Sequence, residues 1–318
     1  MPAPRDRGSL AKAARMYFLD GRSQDDIARV LGTSRSNVSR MLTAARAQGV
    51  VEIRVHDQTA RALELEQAMR EAFGLAQVRV AAFRPGADVV AAAGDLAAQW
   101  LDETVRGGQV VGLSWGTSLQ ATVAAVAADK PRDVEVVPLV GGLTVDASLV
   151  AGQELVRELA GRLGATYRYL HAPALLRSGA ARDALLAEPA IREALRSALS
   201  ADIAMVGIGS VGIGSSNVIV DGLALTDDER AAFLAEKPVG DTCCRFFDAE
   251  GRPIGGEVHD RVLAVELEEL RRIPVVVGVA TGAEKVAGVL GALRGGFVDG
   301  LVTDSGLAHA LLSAAAGR

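Results

Sequence analysis

From about residue 76 onward, short apolar runs alternate with longer stretches of helical periodicity, and this alternation restricts the fold more than any other feature. Strands buried on both faces of a parallel sheet read as continuous apolar runs, and helices must then cover both sides. We therefore predict an α/β domain over 76–318 with a doubly wound, mostly parallel sheet. Strands are predicted within 78–83, 110–115, 134–140, 166–170, 202–209, 275–280 and 297–304. Helices are predicted near 88–106, 117–128, 148–163, 183–199, 227–235, 284–294 and 305–314.

Glycine and hydroxyl residues follow several predicted strands, at the sheet edge where ligands of such folds bind. Gly116, Thr117 and Ser118 follow one strand and open a helix, whose first backbone N–H groups can hold an anion. A lysine, Lys285, follows another strand. This combination predicts a small, phosphorylated, hydroxyl-rich ligand. The further effector-binding candidates are Gly141, Gly142, Gly209 and Thr281.

Two other interpretations of these positions stay open. Each glycine-rich strand end can serve only a tight turn. Asp241 is a candidate acceptor for sugar hydroxyls, whereas Arg245 either binds phosphate or pairs with Asp248, and the pair is the favoured reading. The glycines of 207–215 are not read as a dinucleotide fingerprint, because no helix is expected to follow at the required place.

The N-terminal segment, residues 1–56, has the opposite charge to the rest of the chain. It carries ten basic and five acidic side chains, against 24 and 34 in the remainder. A basic head on an acidic body indicates that only the head approaches nucleic acid. Periodicity and capping residues predict three helices and a strand, which together form a winged helix-turn-helix domain. These elements are predicted at 8–20, 24–31, 35–48 and 50–55.

The third of these helices is the predicted reader of DNA. In a helix-turn-helix the second helix of the pair lies in the major groove, with its N-terminal side chains at the base edges. The hydrogen-bonding side chains there are Ser34, Arg35, Ser36, Asn37 and Arg40. Some of them are expected to contact phosphates instead of bases.

A connecting segment, residues 57–75, shows helical periodicity through Ala62, Leu65, Met69 and Phe73. A helix here can pack on its own body domain or form a short coil between subunits, and the sequence does not decide between them. Some self-association, as a dimer or tetramer, is expected in either case, because one head reads only a few base pairs.

Other features argue against several classes of protein. The four histidines lie in separate segments without ligand spacing, and Cys243 and Cys244 are expected to be buried thiols, so no metal or cofactor is expected. Asp202 and Asp304 can act as bases, but nothing pairs them, so no catalytic residue is assigned. No apolar run is long enough to span a bilayer, and no secretory signal is recognised. A cytoplasmic protein without membrane contact is expected.

The order of motifs along the chain resembles the SorC family of bacterial sugar-responsive transcription regulators. The resemblance covers nearly the whole chain and rests on stretches at 17–55, 111–119, 136–142, 201–210, 239–254, 260–296 and 301–304. It implies a winged helix-turn-helix joined to an effector domain related in fold to phosphosugar isomerases, and a tetramer that binds operator DNA. By this resemblance, Thr117, Ser118 and Lys285 would hold a phosphate, and Asp241 would lie at the sugar hydroxyls.

One position departs from the family pattern. Some relatives carry a polar or basic residue just before the glycine pair, including a lysine that can bond to an aldehyde sugar, whereas this chain has Val140. A Schiff base at that place is therefore not expected. Two hypotheses follow: a regulator whose operator binding is controlled by a phosphorylated sugar or polyol, and a phosphosugar isomerase or kinase fused to a DNA-binding head. The absence of a recognisable acid–base pair favours the regulator.

Overall fold

The computed structural model describes residues 6–51, 61–128, 131–143 and 152–317. The chain forms two compact units, residues 1–58 and 59–318. The predicted wing strand at 50–55 lies largely outside the described residues, as does His56.

The described part of the first unit, residues 6–51, forms three helices around a small apolar core. The helices are α1 (Arg7–Phe18), α2 (Gln24–Leu31) and α3 (Arg35–Ala47). Ile27 and Ala28 of α2 are buried against Val38 and Met41 of α3, as the apolar spacing predicts. Buried residues of α1, such as Leu10, complete the core.

Local capping interactions fix the turn between α2 and α3. Gly32 ends α2 in the left-handed conformation, at φ 61°, which glycine adopts without steric cost. The Ser34 hydroxyl accepts a hydrogen bond from the backbone N–H of Asn37 and caps α3. Ser23 caps α2 in the same way. The three-residue turn therefore holds the start of α3 at a defined angle.

The second unit is built on a seven-stranded sheet in which every strand pairs in parallel. The prediction of an α/β fold with a mostly parallel sheet is confirmed. Its strands are β1 (Gln77–Ala81), β2 (Val110–Leu113), β3 (Glu135–Pro138), β4 (Thr166–Tyr167), β5 (Ile203–Gly207), β9 (Val275–Val279) and β10 (Gly300–Asp304). The order across the sheet is β1-β10-β9-β5-β2-β3-β4.

Helices cover both faces of this sheet, and an apolar core lies on each side. In β2 the alternation is direct: Val111 and Leu113 belong to one core, and Val110 packs against the other. The helices are α4 (Leu63–Phe73), α5 (Val89–Thr104), α6 (Thr117–Ala125), α7 (Gly152–Leu163), α8 (Gly179–Ala187), α9 (Pro189–Leu199), α10 (Ser215–Gly222), α11 (Asp227–Ala235), α12 (Glu257–Asp260), α13 (Leu267–Leu270), α14 (Val286–Arg294) and α15 (Ser305–Ala316).

The connecting helix α4 packs on its own body domain. Met69 is fully buried in the core, and Leu65 and Phe73 pack against the same cluster. Glu66 is buried too, and its carboxylate accepts hydrogen bonds from the Arg61 guanidinium and from the backbone N–H of Val80 in β1. Of the two interpretations left open by the sequence, the described residues therefore support packing on the body domain of the same chain.

Several parts of the second unit differ from the sequence predictions. The helix predicted at 183–199 is two helices, because Pro189 starts a new helix at α9. The helix α10, which begins at Ser215 after the last glycine of the run 207–215, was not predicted. A small antiparallel sheet was also missed; its strands are β6 (Gly209–Ser210), β7 (Gly240–Thr242) and β8 (Arg245–Phe247).

Candidate functional site

A pocket lies at the carboxyl ends of the central strands, where the fold places ligands. We call it the rim pocket. It is lined by the start of α6, by the segment that joins β5 to β6, by residues of the small sheet, and by the end of β9 with the turn that follows it. Six of the nine predicted effector-binding residues line it: Gly116, Thr117, Ser118, Gly209, Asp241 and Lys285.

One wall of the rim pocket is the N-terminus of α6. Gly116 precedes the helix at φ 131°, and no side chain caps it. The first N–H groups of a helix have no partner within the helix, so they are available to an anion. Thr117 is exposed at this end, and Ser118 is buried beside it. The wall therefore offers backbone donors and two hydroxyls to a negatively charged group.

The lining also includes a buried carboxylate. Asp241 accepts a hydrogen bond of 2.5 Å from the Ser216 hydroxyl of α10. Both side chains are almost fully buried. Gly209 lies opposite Asp241 in the β6–β7 pairing, and a Cβ atom at Gly209 would overlap both Asp241 Oδ1 and Ser216 Oγ. Glycine at 209 is therefore required by the close approach of this pair.

Lys285 supplies the positive charge of the site. It ends a short 3₁₀ turn, Ala283–Lys285, and α14 starts at the next residue. Burial lowers the pKa of Lys285, and the nearby carboxylates of Glu284, Asp241 and Asp304 oppose that shift. Burial also raises the pKa of Asp241 to about 6, and the Ser216 hydrogen bond and Lys285 oppose the rise. The pocket thus holds a cation and an incompletely stabilised carboxylate.

Three predicted effector-binding residues do not line the pocket. Gly141 and Gly142 form backbone hydrogen bonds with the chain at 172–174 and 263, and a Cβ at Gly141 would overlap the backbone around Pro173. The close backbone approach expected of this pair is real, but its partner is the protein's own chain. Thr281 is buried at the end of β9.

A two-residue hairpin turn, Cys243-Cys244, joins β7 to β8 beside the pocket. Both residues have left-handed backbones, at φ 51° and 59°. A hairpin turn with two such positions is normally formed by Asn-Gly. Both thiols are free and buried, as expected. Cys243 lines the rim pocket, and the Trp115 indole N–H donates to Cys244 Sγ at 3.4 Å. The strained turn therefore ties the small sheet to Trp115, two residues before α6.

Arg245, which follows this turn, is structural, but its partner differs from the prediction. Its guanidinium is buried and donates to the carbonyls of His259, Val262 and Ala264 and to Glu266 Oε1 at 2.6 Å. Asp248 instead pairs with Arg252 within its own turn. The Arg245–Asp248 pair and the phosphate-binding alternative are both replaced by this network.

The two aspartates considered as possible bases hold the backbone. Asp304 accepts N–H bonds from Gly282, Gly306 and Leu307, which caps α15 and fixes the loop after β9. Asp202 accepts the N–H of Val110 at 2.8 Å. Both carboxylates are therefore engaged in structural hydrogen bonds.

The candidate DNA surface is the exposed start of α3 in the first unit. Arg35, Ser36 and Arg40 are exposed, whereas Asn37 is partly buried. Arg35 lies 3.9 Å from the Asp25 carboxylate, an exposed pair. Ser34, at the N-terminus of α3, is engaged as its cap.

Comparisons with known proteins place the chain in a family. The family model described as "Putative sugar-binding domain" matches residues 57–313. The deoxyribonucleoside regulator of Bacillus subtilis is 32% identical over 305 residues, covering 95% of this chain and 96% of the relative. The sorbitol operon regulator of Klebsiella pneumoniae is 31% identical over 309 residues, covering 95% and 97%. This chain is a member of the SorC family.

A solved structure extends the likeness to the whole fold. The full-length sorbitol operon regulator SorC from Klebsiella pneumoniae superposes with a TM-score of 0.73 at 30% identity, covering 97% of this chain and 100% of that one. These relatives bear the names of transcription regulators, and this SorC-family chain is a regulator and not an enzyme. Its Val140 side chain is buried in the core, so no amine stands before the glycine pair.

Sequence reasoning missed one polar member of the site, Ser216, because its helix was not predicted. Among the described residues, no group of three or more histidines, cysteines or carboxylates is arranged to hold a metal ion. No helix in the described ranges is both long and apolar enough to cross a bilayer.

The buried carboxylate makes the stability of this SorC-family chain depend on pH. The pKa of Asp241 in the folded state, about 6, exceeds its ordinary value of 3.8, so its contribution to stability is greatest below pH 3.8 and is lost as the pH rises through 6. Between pH 5 and pH 7 this loss amounts to about 1 kcal/mol. Asp241→Asn should abolish that part of the difference. Urea unfolding, followed by fluorescence of Trp100 and Trp115, checks it; an equal pH dependence in the variant would contradict it.

Proposed function

We propose that this protein is an operator-binding transcription regulator whose DNA affinity is controlled by a small phosphorylated sugar or polyol in the rim pocket. The observation that carries the proposal is the pairing, in one pocket, of an uncapped helix N-terminus and Lys285 with the Asp241–Ser216 pair. The first two suit a phosphate, and the carboxylate suits hydroxyl donors. The names of the relatives, which include regulators of sorbitol and deoxyribonucleoside genes, support the same class of effector.

The full set of effector contacts that we propose is wider than the pocket lining. It consists of Gly116, Thr117, Ser118, Gly141, Gly142, Gly209, Asp241, Thr281 and Lys285. The glycines at 141 and 142 would act by shaping the loop that follows β3, and Thr281 by holding the loop before Lys285.

The DNA-binding part of the proposal rests on the first unit. The α2–turn–α3 arrangement, with Gly32 at the turn and a shared apolar core, supports a winged helix-turn-helix whose wing is residues 50–55. Helix α3 would enter the major groove, with Ser34, Arg35, Ser36, Asn37 and Arg40 facing DNA. The domain limits would be 1–56 for the head, 57–75 for the connector and 76–318 for the effector domain.

Control by the effector follows from linkage. A ligand alters operator affinity only if it binds the competent and incompetent arrangements unequally. A dimer or tetramer in the cytoplasm would present two or more heads to operator half-sites, and the effector would change the spacing or angle of those heads. No membrane partner is proposed.

The test is binding of the full chain to the DNA upstream of its own gene, with and without sugar and polyol phosphates. A thermal-shift screen would first identify the ligand, because a ligand at a free concentration of 100 times its Kd stabilises the folded protein by about 2.7 kcal/mol. We expect sequence-specific DNA binding that the stabilising ligand changes. DNA binding that no ligand alters, or turnover of the ligand, would contradict the proposal.

Removing positive charge from α3 should weaken operator binding without touching effector binding. We expect Arg35→Ala and Arg40→Ala each to raise the operator Kd roughly tenfold, as expected for one lost base or phosphate contact. A lost phosphate contact should also reduce the slope of log K against log salt by about 0.9. Fluorescence anisotropy over a salt series measures both quantities.

The matched control for this experiment is Arg192→Ala. It removes the same charge from an exposed position on α9, in the effector domain. Its operator affinity should equal that of the unmodified protein. Equal losses of operator affinity in all three variants would show that only the net charge of the protein matters, and they would refute the assignment of α3 to the groove.

A further inference from the structure

The side chains at the start of α3 are not equivalent, and the difference concerns how DNA sequence is read. Asn37 is partly buried, and its side-chain amide donates a hydrogen bond of 2.8 Å to the Thr33 hydroxyl in the turn. Its backbone N–H donates to the Ser34 hydroxyl at 3.2 Å. Both bonds tie Asn37 to the segment that joins the two helices, so one donor of its side-chain amide is already used within the protein.

Ser36 and Arg40 have the opposite character. Both are exposed and stand one turn apart on the same face of α3. Arg40 Nε lies 3.3 Å from the Ser36 carbonyl, and Nη2 lies 3.4 Å from the Ser36 hydroxyl. These are long, solvent-exposed hydrogen bonds, and exchanging them for bonds to DNA costs little.

The buried face of α3 sets which residues can reach a groove. Val38, Met41, Leu42 and Ala45 fix that face against the core. The exposed stripe opposite them includes Ser36 and Arg40, whereas Asn37 lies at the border with the turn. A guanidinium matches guanine O6 and N7 with two hydrogen bonds.

We infer that Asn37 is a positioning residue, which fixes the start of α3 through Thr33, and that base reading falls to Ser36 and Arg40. This inference rests on the proposed function of the head as an operator-binding domain. It assigns Thr33, which does not lie on the helix, a part in DNA affinity. It also removes Asn37 from direct base reading by α3.

A double-mutant cycle on the full chain tests the inference. Thr33→Val and Asn37→Ala each remove one end of the same bond, and each should weaken operator binding about fivefold. The double variant should be no weaker than either single one, because only one interaction is lost. Thr33→Ser keeps the hydroxyl and should bind like the unmodified protein, which separates the bond from a general loss of folding at this turn.

Selection from a randomised duplex library provides the second readout. The preferred sequence of the Thr33→Val and Asn37→Ala variants should be unchanged, whereas Ser36→Ala and Arg40→Ala should each lose preference at one base pair of every half-site. A changed preference in Asn37→Ala, or losses that multiply in the double variant, would overturn the inference and leave the head a DNA reader. Failure of the unmodified protein to select any sequence would overturn the proposed function itself.

Discussion

Lys285→Ala is expected to lower the affinity for the phosphorylated effector about 100-fold and to abolish the response of the protein–operator complex to it. Lys285 is the cation of the rim pocket; it is partly buried there, and the carboxylates of Asp241 and Asp304 are among the charges that act on it. Removing one partner of a desolvated charge pair costs about 2–5 kcal/mol, which corresponds to this loss of affinity. Operator binding without effector should be unchanged, because the heads form a separate unit.

Titration calorimetry with the effector and gel-shift assays with the operator measure the two quantities separately. Lys237→Asn is the matched control, since it removes the same charge from an exposed position of the same unit. Asparagine tolerates the left-handed backbone of that residue, at φ 52°. Retained effector affinity in Lys285→Ala would place the phosphate elsewhere in the pocket or show that the effector carries none.

Gly209→Ala should damage the site by a different route, through volume alone. The new methyl group would overlap both Asp241 Oδ1 and Ser216 Oγ, and these atoms line a buried wall with little room to move. Overpacking of this kind costs about 1–3 kcal/mol of stability. Displacement of Asp241 should also reduce effector affinity about 100-fold, since recognition of the effector's hydroxyl groups depends on the position of the Asp241 carboxylate oxygens.

The control for this substitution is a second glycine-to-alanine change that should raise the stability of the protein instead of lowering it. Gly161 lies within α7, and a Cβ there would meet nothing within 4 Å. Gly161→Ala should therefore stabilise the protein by about 0.5–1 kcal/mol and leave effector affinity unchanged. Urea unfolding and calorimetry on both variants check these values. Normal effector binding by Gly209→Ala would show that Asp241 does not contact the ligand.

The parallel sheet could be predicted from the sequence because its signal is local and repeated. Each buried strand is a continuous apolar run, and each helix has its own periodicity. The helix α10 could not, because "SSNVIVDG" contains serine, asparagine, β-branched residues and glycine, which have low helix propensity. Packing of Ile219 and Val220 into the core stabilises it instead.

Side-chain partners were harder to predict than elements. Arg245 pairs with Glu266, 21 residues away, although Asp248 is far closer in sequence. Only the folded chain shows that Asp248 is already used by its own turn. The glycine pair at 141 and 142 illustrates a second limit: close approach to a ligand and close approach to another part of the chain require the same residue, so the sequence cannot separate them.

The Cys243-Cys244 turn makes the closure of the hairpin beside the pocket measurable through the reactivity of its two thiols. Burial raises the pKa of the Cys243 thiol to about 12 and raises that of Cys244 as well, so neither forms the nucleophilic thiolate while the hairpin is closed. An alkylating reagent can therefore reach them only during transient openings of the small sheet. Because Cys243 lines the rim pocket, a ligand bound there is expected to stabilise the closed hairpin and so to slow the alkylation.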